Sequence, residues 1–272
     1  MTESLITSRR NPQARLARDT RDGREKGLVF VEGVRLCEEA LRAGVEFESA
    51  LFVPSLALDE RGARLVANLR DVCPRVLAVV EDVLESVADT KTSQGVVAVA
   101  KRPRTGADVI ERSVGTPLVV VMHAVNNPSN AGAMLRVAEA ACASAVITTR
   151  GSTDLLSPKS LRGSMGSAFR LPLWEGATFQ EALGWCRERG IRTVGTDAEA
   201  EAAHTEIDWT TPRAVIVGPE AGGLSESEAS AADDCVRIPM CAPVESLNVA
   251  VALGVILYEA ARQRAVTASV EQ

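Results

Sequence analysis

Leu118-Val-Val-Val-Met122 is a continuous apolar run, and His123-Ala-Val-Asn-Asn-Pro-Ser-Asn-Ala-Gly-Ala-Met-Leu-Arg136 follows it without a break. Five apolar residues in a row lack the alternation of a strand with one wet face. The run therefore predicts a strand covered on both sides within a parallel sheet. From Asn130 to Ala143 the apolar residues recur at helical spacing, and an asparagine stands where the first turn needs a cap. The unit is strand, loop, helix.

Similar units continue toward the carboxyl end. They comprise a strand near Ala145–Thr148 with a helix over Pro158–Phe169, then a helix over Phe179–Glu188 and a strand over Arg192–Gly195. Strands Ala214–Val217 and Val236–Met240 come next, with a last helix from about Leu247 to Arg262. Strands alternating with helices predict an α/β domain with a mainly parallel sheet. Toward the amino end, an arginine-rich helix precedes a strand (Leu28–Glu32), a helix (Val34–Ala43) and a strand (Phe47–Val53), and the alternation runs on to Val96–Ala100. Lys101-Arg-Pro-Arg-Thr-Gly-Ala107 combines proline, glycine and charge, as linkers do. The expected organisation is a smaller α/β domain over 1–104, a linker over 105–116 and a larger domain over 117–272.

The 272 residues, 46% of them hydrophobic, suffice for two cores. No apolar run approaches the about 20 residues that span a bilayer, and none of signal-peptide length precedes Arg9. A soluble cytoplasmic protein without membrane contact is expected. The six cysteines form no C-x-x-C pair and have no histidine at ligand spacing, so no metal is expected. Net charge is −6, unevenly spread: residues 1–104 hold 17 basic and 16 acidic side chains, residues 105–272 hold 13 and 20. Arg9, Arg10, Arg15 and Arg18 lead the basic front, which is either a solvated helix face or a footprint for a polyanion.

Ligands of parallel sheets collect at the carboxyl ends of strands. Three loops lie there: 126–132, 218–224 and 240–248. None is a G-x-x-x-x-G-K-[ST] cradle or a G-x-G-x-x-G turn, which argues against nucleoside triphosphates and dinucleotides. Glu220, between an apolar strand and a glycine turn, needs partners if it is buried, and the loop carrying Asn130 and Arg136 can supply donors. Ser246 and Asn248 flank Leu247 where the last helix begins, so one can cap and the other bind.

Taken together, N-P-S-N-A-G-A-M-L-R (127–136), V-G-P-E-A-G-G-L (217–224) and I-P-M-C-A-P-V-E-S-L-N-V (238–249) resemble the three motifs of the SpoU/TrmH family of RNA ribose methyltransferases, over roughly residues 117–264. In the front half, S-R-R-N-P-Q (8–13), F-V-E-G (30–33) and T-S-Q-G-V-V-A (92–98) resemble the ribosomal-protein-like substrate-binding domain that many such enzymes carry. The resemblance implies a trefoil-knotted parallel-sheet catalytic domain working as a homodimer. It also implies S-adenosylmethionine held mainly by main chain at Gly218, Ile238 and Leu247, with Met240 nearby. Its catalytic set maps onto Arg136, Asn130, Glu220, Ser246 and Asn248. The implied substrate is a ribose 2′-hydroxyl of structured RNA, ribosomal RNA before tRNA, docked by Arg9, Arg10, Arg15 and Arg18.

A guanidinium with a pKa above about 12 has no acceptor lone pair, so Arg136 is expected to stabilise developing charge, with Glu220 and Asn130 holding its fork. Two positions depart from the family pattern. Asn127 replaces an aspartate, and Ala242 replaces a glycine, where a positive φ would be costly. The rival readings are a non-catalytic RNA-binding protein that keeps the fold and a dehydrogenase. The five retained catalytic positions oppose the first, and the missing dinucleotide turn opposes the second. With aromatics at 3%, recognition would lean on phosphates, shape and the 2′-hydroxyl rather than on base stacking.

Overall fold

The computed structural model describes residues 5–111 and 116–270, which fall into two compact units. The first comprises residues up to Pro103 together with Leu156–Arg170, and the second comprises the rest.

In the first unit, α1 (Pro12–Arg21) starts at Asn11, whose side chain accepts from the Gln13 N–H, with Pro12 at the first helical position. Then come β1 (Leu28–Glu32), α2 (Val34–Arg42), β2 (Phe47–Phe52), a 3₁₀ turn (Pro54–Leu58), α3 (Glu60–Val72), β3 (Val76–Ala78), α4 (Glu81–Val87) and β4 (Val96–Lys101). The sheet order is β1-β4-β2-β3, with β4 antiparallel to both neighbours and β2 parallel to β3. Apolar β4 is central because Val96 to Ala100 are all buried and only Lys101 reaches solvent.

The second unit opens with a single helical turn, α5 (Ala107–Ile110), inside the stretch expected to be linker. Ile110 is buried in this unit's core. Next are β5 (Leu118–Met122), α6 (Pro128–Ala140) and β6 (Ala145–Thr149). The chain then passes through α7 (Pro158–Ser164) and α8 (Ser167–Arg170), which belong to the first unit. The remaining elements are β7 (Leu173–Ala177), α9 (Phe179–Glu188), β8 (Arg192–Thr196), β9 (Ala202–Ala203), β10 (Arg213–Val217), α10 (Glu226–Ala229), β11 (Asp234–Arg237) and α11 (Val249–Val270). All ladders of this seven-stranded sheet are parallel, in the order β7-β6-β5-β10-β8-β11-β9. Every residue of β5, β6 and β10 is buried, and apart from Thr148, Thr149 and Arg213 all of them are apolar. Val119, Val121, Ile147 and Ile216 pack toward Leu183 and Cys186 of α9. Among the described residues, no helix is long and apolar enough to cross a membrane.

Several boundaries differ from expectation. The helix expected over 158–169 is two helices, broken where Met165 and Gly166 take φ of 52° and 94°. A Cβ at Gly166 would sit 2.5 Å from the Cβ of Glu39, so only glycine permits that approach. The segment is also tied down within its unit: Arg162 reaches Asp89 at 2.6 Å and Glu32 at 3.6 Å, and Glu32 is buried. Strand β11 ends at Arg237 rather than Met240. Pro239 has no N–H for a ladder, and the chain turns away before it. Positive φ falls at Ala124 (50°) and not at Ala242, which precedes a cis-proline.

Candidate active site

The carboxyl ends of β5, β10, β8 and β11 point to one side of the sheet, because parallel strands present them together. Chain order and sheet order part company here: β10 inserts between β5 and β8, so loops distant in sequence become neighbours. They enclose a cavity of about 580 Å³, large enough for a nucleoside-sized ligand.

Helix α6 begins at Pro128 with Asn127 as its cap, the Asn127 side chain accepting from the Ser129 N–H at 2.9 Å. Asn130 is thus free of capping duty. Its amide Nδ2 donates to Glu220 Oε1 at 3.1 Å, and its Oδ1 accepts from Asn248 Nδ2 at 3.1 Å. Asn248 does both tasks that its sequence position left open. Its Oδ1 takes the N–H groups of Ala250 and Val251 at 3.0 and 3.4 Å, capping α11 while the amide reaches Asn130. A relay Asn248–Asn130–Glu220 therefore joins the three loops.

Glu220 is open to solvent on its outer side rather than enclosed. Partial burial pushes its carboxyl pKa up. Its own N–H, the Asn130 amide and the N–H groups of Asn127 and Asn126 outweigh that and hold it below the ordinary value. The two loop N–H groups lie 3.2 and 3.4 Å from the carboxylate. Main chain and Asn130 are its partners. Arg136 is not among them.

Gly218, Ile238, Met240 and Leu247 line the cavity, as do Asn130, Glu220, Ser246 and Asn248. Arg136 stands apart. It is exposed on α6, outside the cavity wall, and among the described residues no hydrogen bond or ion pair engages its guanidinium. The expected support of its fork by Glu220 and Asn130 is thus absent. Six residues along a helix turn a side chain by about 240° relative to Asn130, which explains the separation. Thr196 and Asp197, after β8, also line the cavity. Sequence reasoning missed them because their loop carries no motif.

The glycine of the second loop is there for space. A Cβ on Gly218 would lie 2.5 Å from the Gly223 carbonyl carbon and 2.6 Å from the Leu224 nitrogen, so the loop folds back onto its own start. Replacement by alanine must push that backbone away. Gly218→Ala should cost about 1–3 kcal/mol of stability by overpacking and weaken binding in the cavity. Unchanged thermal unfolding together with unchanged binding would refute the crowding argument.

A histidine outside the motifs helps hold the second loop. His123 Nε2 lies 2.8 Å from Glu228 Oε1, its Nδ1 lies 2.9 Å from Thr149 Oγ1, and its ring packs on Phe179. Glu228 belongs to the capping box of α10, which directly follows the glycine loop. The Ser225 N–H, the Ser225 hydroxyl and His123 hold its carboxyl below the ordinary value against the opposing push of burial.

The four amino-terminal arginines are unequal. Arg9 Nε donates to Asp82 at 2.8 Å. Arg18 reaches the Arg9 carbonyl at 2.6 Å and Ser86 at 3.2 Å. Arg15 is mostly exposed and lies 3.5 Å from Asp19. Among the described residues no partner engages the Arg10 guanidinium.

Residues 117–258 match the model of the SpoU rRNA methylase family, and residues 13–98 match that of an MRM3-like substrate-binding domain. An uncharacterised tRNA/rRNA methyltransferase of Synechocystis sp. is 33% identical over 95% of this chain and 94% of its own length. The 23S rRNA (guanosine-2′-O-)-methyltransferase of Ralstonia nicotianae is 36% identical over 67% of this chain and 75% of its own. The crystal structure of the SpoU methyltransferase AviRb from Streptomyces viridochromogenes with AdoMet superposes with a TM-score of 0.84 at 31% identity, covering 94% of this chain and 99% of that one. A front unit that matches a substrate-binding domain and a rear sheet whose motif loops meet in one cavity agree with these likenesses: the chain belongs to the SpoU rRNA methylase family.

Proposed function

We propose that the protein transfers a methyl group from S-adenosylmethionine to a ribose 2′-hydroxyl of ribosomal RNA. The observation that carries this is the relay Asn248–Asn130–Glu220, which brings the three motif loops around one cavity. The cavity suits the cofactor on two counts. The approach of Gly223 and Leu224 to Gly218 makes a main-chain cradle that no larger residue at 218 would allow. Among the described residues no lysine or arginine lines it, whereas Asp197 and Glu220 do, so the cavity as a whole carries a negative field that suits a ligand of net positive charge. Gly218, Ile238, Met240 and Leu247 would hold the cofactor. When bound, it supplies a methyl group that is already electrophilic.

The side chains then have to position and to neutralise. Ser246 and Asn248, in the cavity wall, orient the reacting ribose, and Asn248 also caps α11 and so fixes the end of the third loop. As the ribose oxygen attacks, its proton leaves to a phosphate oxygen or to water, and the exposed guanidinium of Arg136 stabilises the growing negative charge. No step calls for a metal. Ribosomal RNA is favoured over tRNA by the match of the front unit to a substrate-binding domain and by the 23S specificity in the name of the Ralstonia relative. Transfer of labelled methyl from S-adenosylmethionine to purified rRNA and tRNA, followed by mapping of ribose methylation, tests this. Labelling of tRNA alone would move the substrate, and cofactor binding without transfer to any RNA would restore the non-catalytic reading.

The enzyme works as a homodimer in the cytoplasm. Val251 (54% exposed), Val255 (37%) and Tyr258 (55%) leave α11 with an apolar exposed face, continued by Leu247 and Val244 in the third loop. Sedimentation as a single chain at micromolar concentration would overturn the dimer. For RNA docking, the placement of the arginines sharpens expectation. Arg10→Ala and Arg15→Ala should weaken RNA binding and each reduce the salt slope by about 0.7–0.9, with cofactor affinity unchanged. Arg9→Ala should do less, since Arg9 is already paired with Asp82. RNA affinity equal to the parent's in all three variants would remove this amino-terminal segment from the docking surface.

A further inference from the structure

The cavity has two acidic side chains in its wall, and they are not equivalent. Glu220 is fully engaged: Oε1 accepts from Asn127 and Asn130, and Oε2 from Asn126. Asp197, directly after β8, uses only Oδ1, which accepts the Glu199 N–H at 2.9 Å in a local turn. Among the described residues no donor reaches Oδ2. A carboxylate oxygen in the wall of a cavity, with its partner oxygen already fixed by the backbone, is an acceptor held ready for a ligand donor.

Its place in the sheet says which part of the ligand it meets. Asn130 follows β5, Glu220 follows β10 and Asp197 follows β8, three adjacent strands in that order. At about 4.8 Å per strand, Asp197 lies about 10 Å across the sheet from the Asn130 loop, where the ribose to be methylated must stand. The reactive end of the cofactor therefore points toward Asn130, and Asp197 faces the other end. Resting on the methyltransferase reading, we infer that Asp197 is a specificity residue for the nucleoside half of the cofactor, with Oδ2 accepting from the ribose hydroxyls. The amino-acid half and the sulfonium lie beyond its reach.

Asp197→Asn isolates that oxygen. The amide keeps Oδ1 for the Glu199 N–H and puts an NH₂ donor where the hydroxyls need an acceptor. Asp197→Ala also removes the turn bond. Calorimetry on the full chain, with S-adenosylmethionine, S-adenosylhomocysteine and 5′-methylthioadenosine as ligands, should show all three weakened by the same factor in Asp197→Asn. That factor is about tenfold or more, the scale of a lost hydrogen bond to a charged group. Weakening of S-adenosylmethionine alone would assign Asp197 to the sulfonium and overturn the inference. Weakening of the two amino-acid-bearing ligands with 5′-methylthioadenosine unchanged would assign it to the ammonium group, with the same consequence. An effect seen in Asp197→Ala but not in Asp197→Asn would make it a turn residue only. If the unsubstituted protein bound none of the three, the methyltransferase reading itself would fall, a result distinct from each of these.

Discussion

Glu220→Gln lowers methyl transfer by about 100-fold or more and weakens cofactor binding, while the protein stays folded. The carboxylate gathers the N–H groups of Asn126 and Asn127 and the amide of Asn130, and through Asn130 it is linked to Asn248 at the start of α11. Glutamine keeps one acceptor and turns the other oxygen into a donor facing N–H groups. Two hydrogen bonds to charge at about 1.5 kcal/mol each already account for a factor of that size. Because the carboxylate is solvent-open, the fold should survive its loss. Activity within threefold of the parent would show that the three loops hold their places without it. The pH response has a definite sign. Glu220's pKa is lower in the folded protein, so its contribution is complete above the ordinary carboxylate value of about 4.3 and is lost as pH falls through the lowered value. Cofactor binding by the parent should thus hold at the ordinary carboxylate value and weaken as pH falls through the lowered one, less steeply in the glutamine variant.

The sequence made the sheet legible wherever burial is complete on both faces. β5 runs from Leu118 to Met122 as its unbroken apolar letters require, and α9 spans Phe179–Glu188 with Thr178 and Glu181 forming its capping box. Misreadings arise where apolar letters serve a cavity rather than a core. Ile238 and Met240 extend the apolar pattern of β11, yet they line the ligand site beyond the strand's end. The start of α6 was misplaced because three asparagines, at 126, 127 and 130, compete for one cap. Asn127 wins, and that choice frees Asn130 for the relay. Expected strain at Ala242 instead appears at Ala124, whose N–H is fixed by Thr149 Oγ1 at 3.0 Å. Nothing local marks Ala124 for a left-handed conformation. Nor does anything local mark Asp197: only the strand order β10-β8-β11 brings it to the cavity, and strand order is a product of tertiary packing. The attachment of Leu156–Arg170 to the first unit is equally non-local, since it draws on contacts such as Arg162 with Asp89 and Arg170 with Glu39, formed across more than seventy residues of chain.

Arg136→Lys should lose at least about tenfold in kcat, and Arg136→Ala about 100–1000-fold, with the cofactor Kd unchanged within about twofold in both. The split follows from where Arg136 stands. It lies outside the cavity wall that would hold the cofactor, so binding there does not sense it. Its guanidinium is exposed and has no partner among the described residues, so its five donors are available to RNA and to the charge that develops on the attacking oxygen. Lysine retains the charge but presents a compact ammonium in place of a planar fork, and it cannot bridge a phosphate and a ribose oxygen at fixed geometry. With no partner among the described residues to set its rotamer, the fork is ordered when RNA arrives, so the defect should appear in turnover with RNA rather than in the free protein. The pH dependence separates charge stabilisation from base catalysis. An arginine guanidinium has no lone pair with which to accept a proton, so a basic limb in kcat between about pH 7 and 9 that vanished in Arg136→Ala would argue for base catalysis instead. A lysine acting as base would instead give a rate that climbs toward the ammonium pKa of about 10.4. Full turnover by Arg136→Lys with a flat profile would show that a point charge suffices and that the fork has no geometric task.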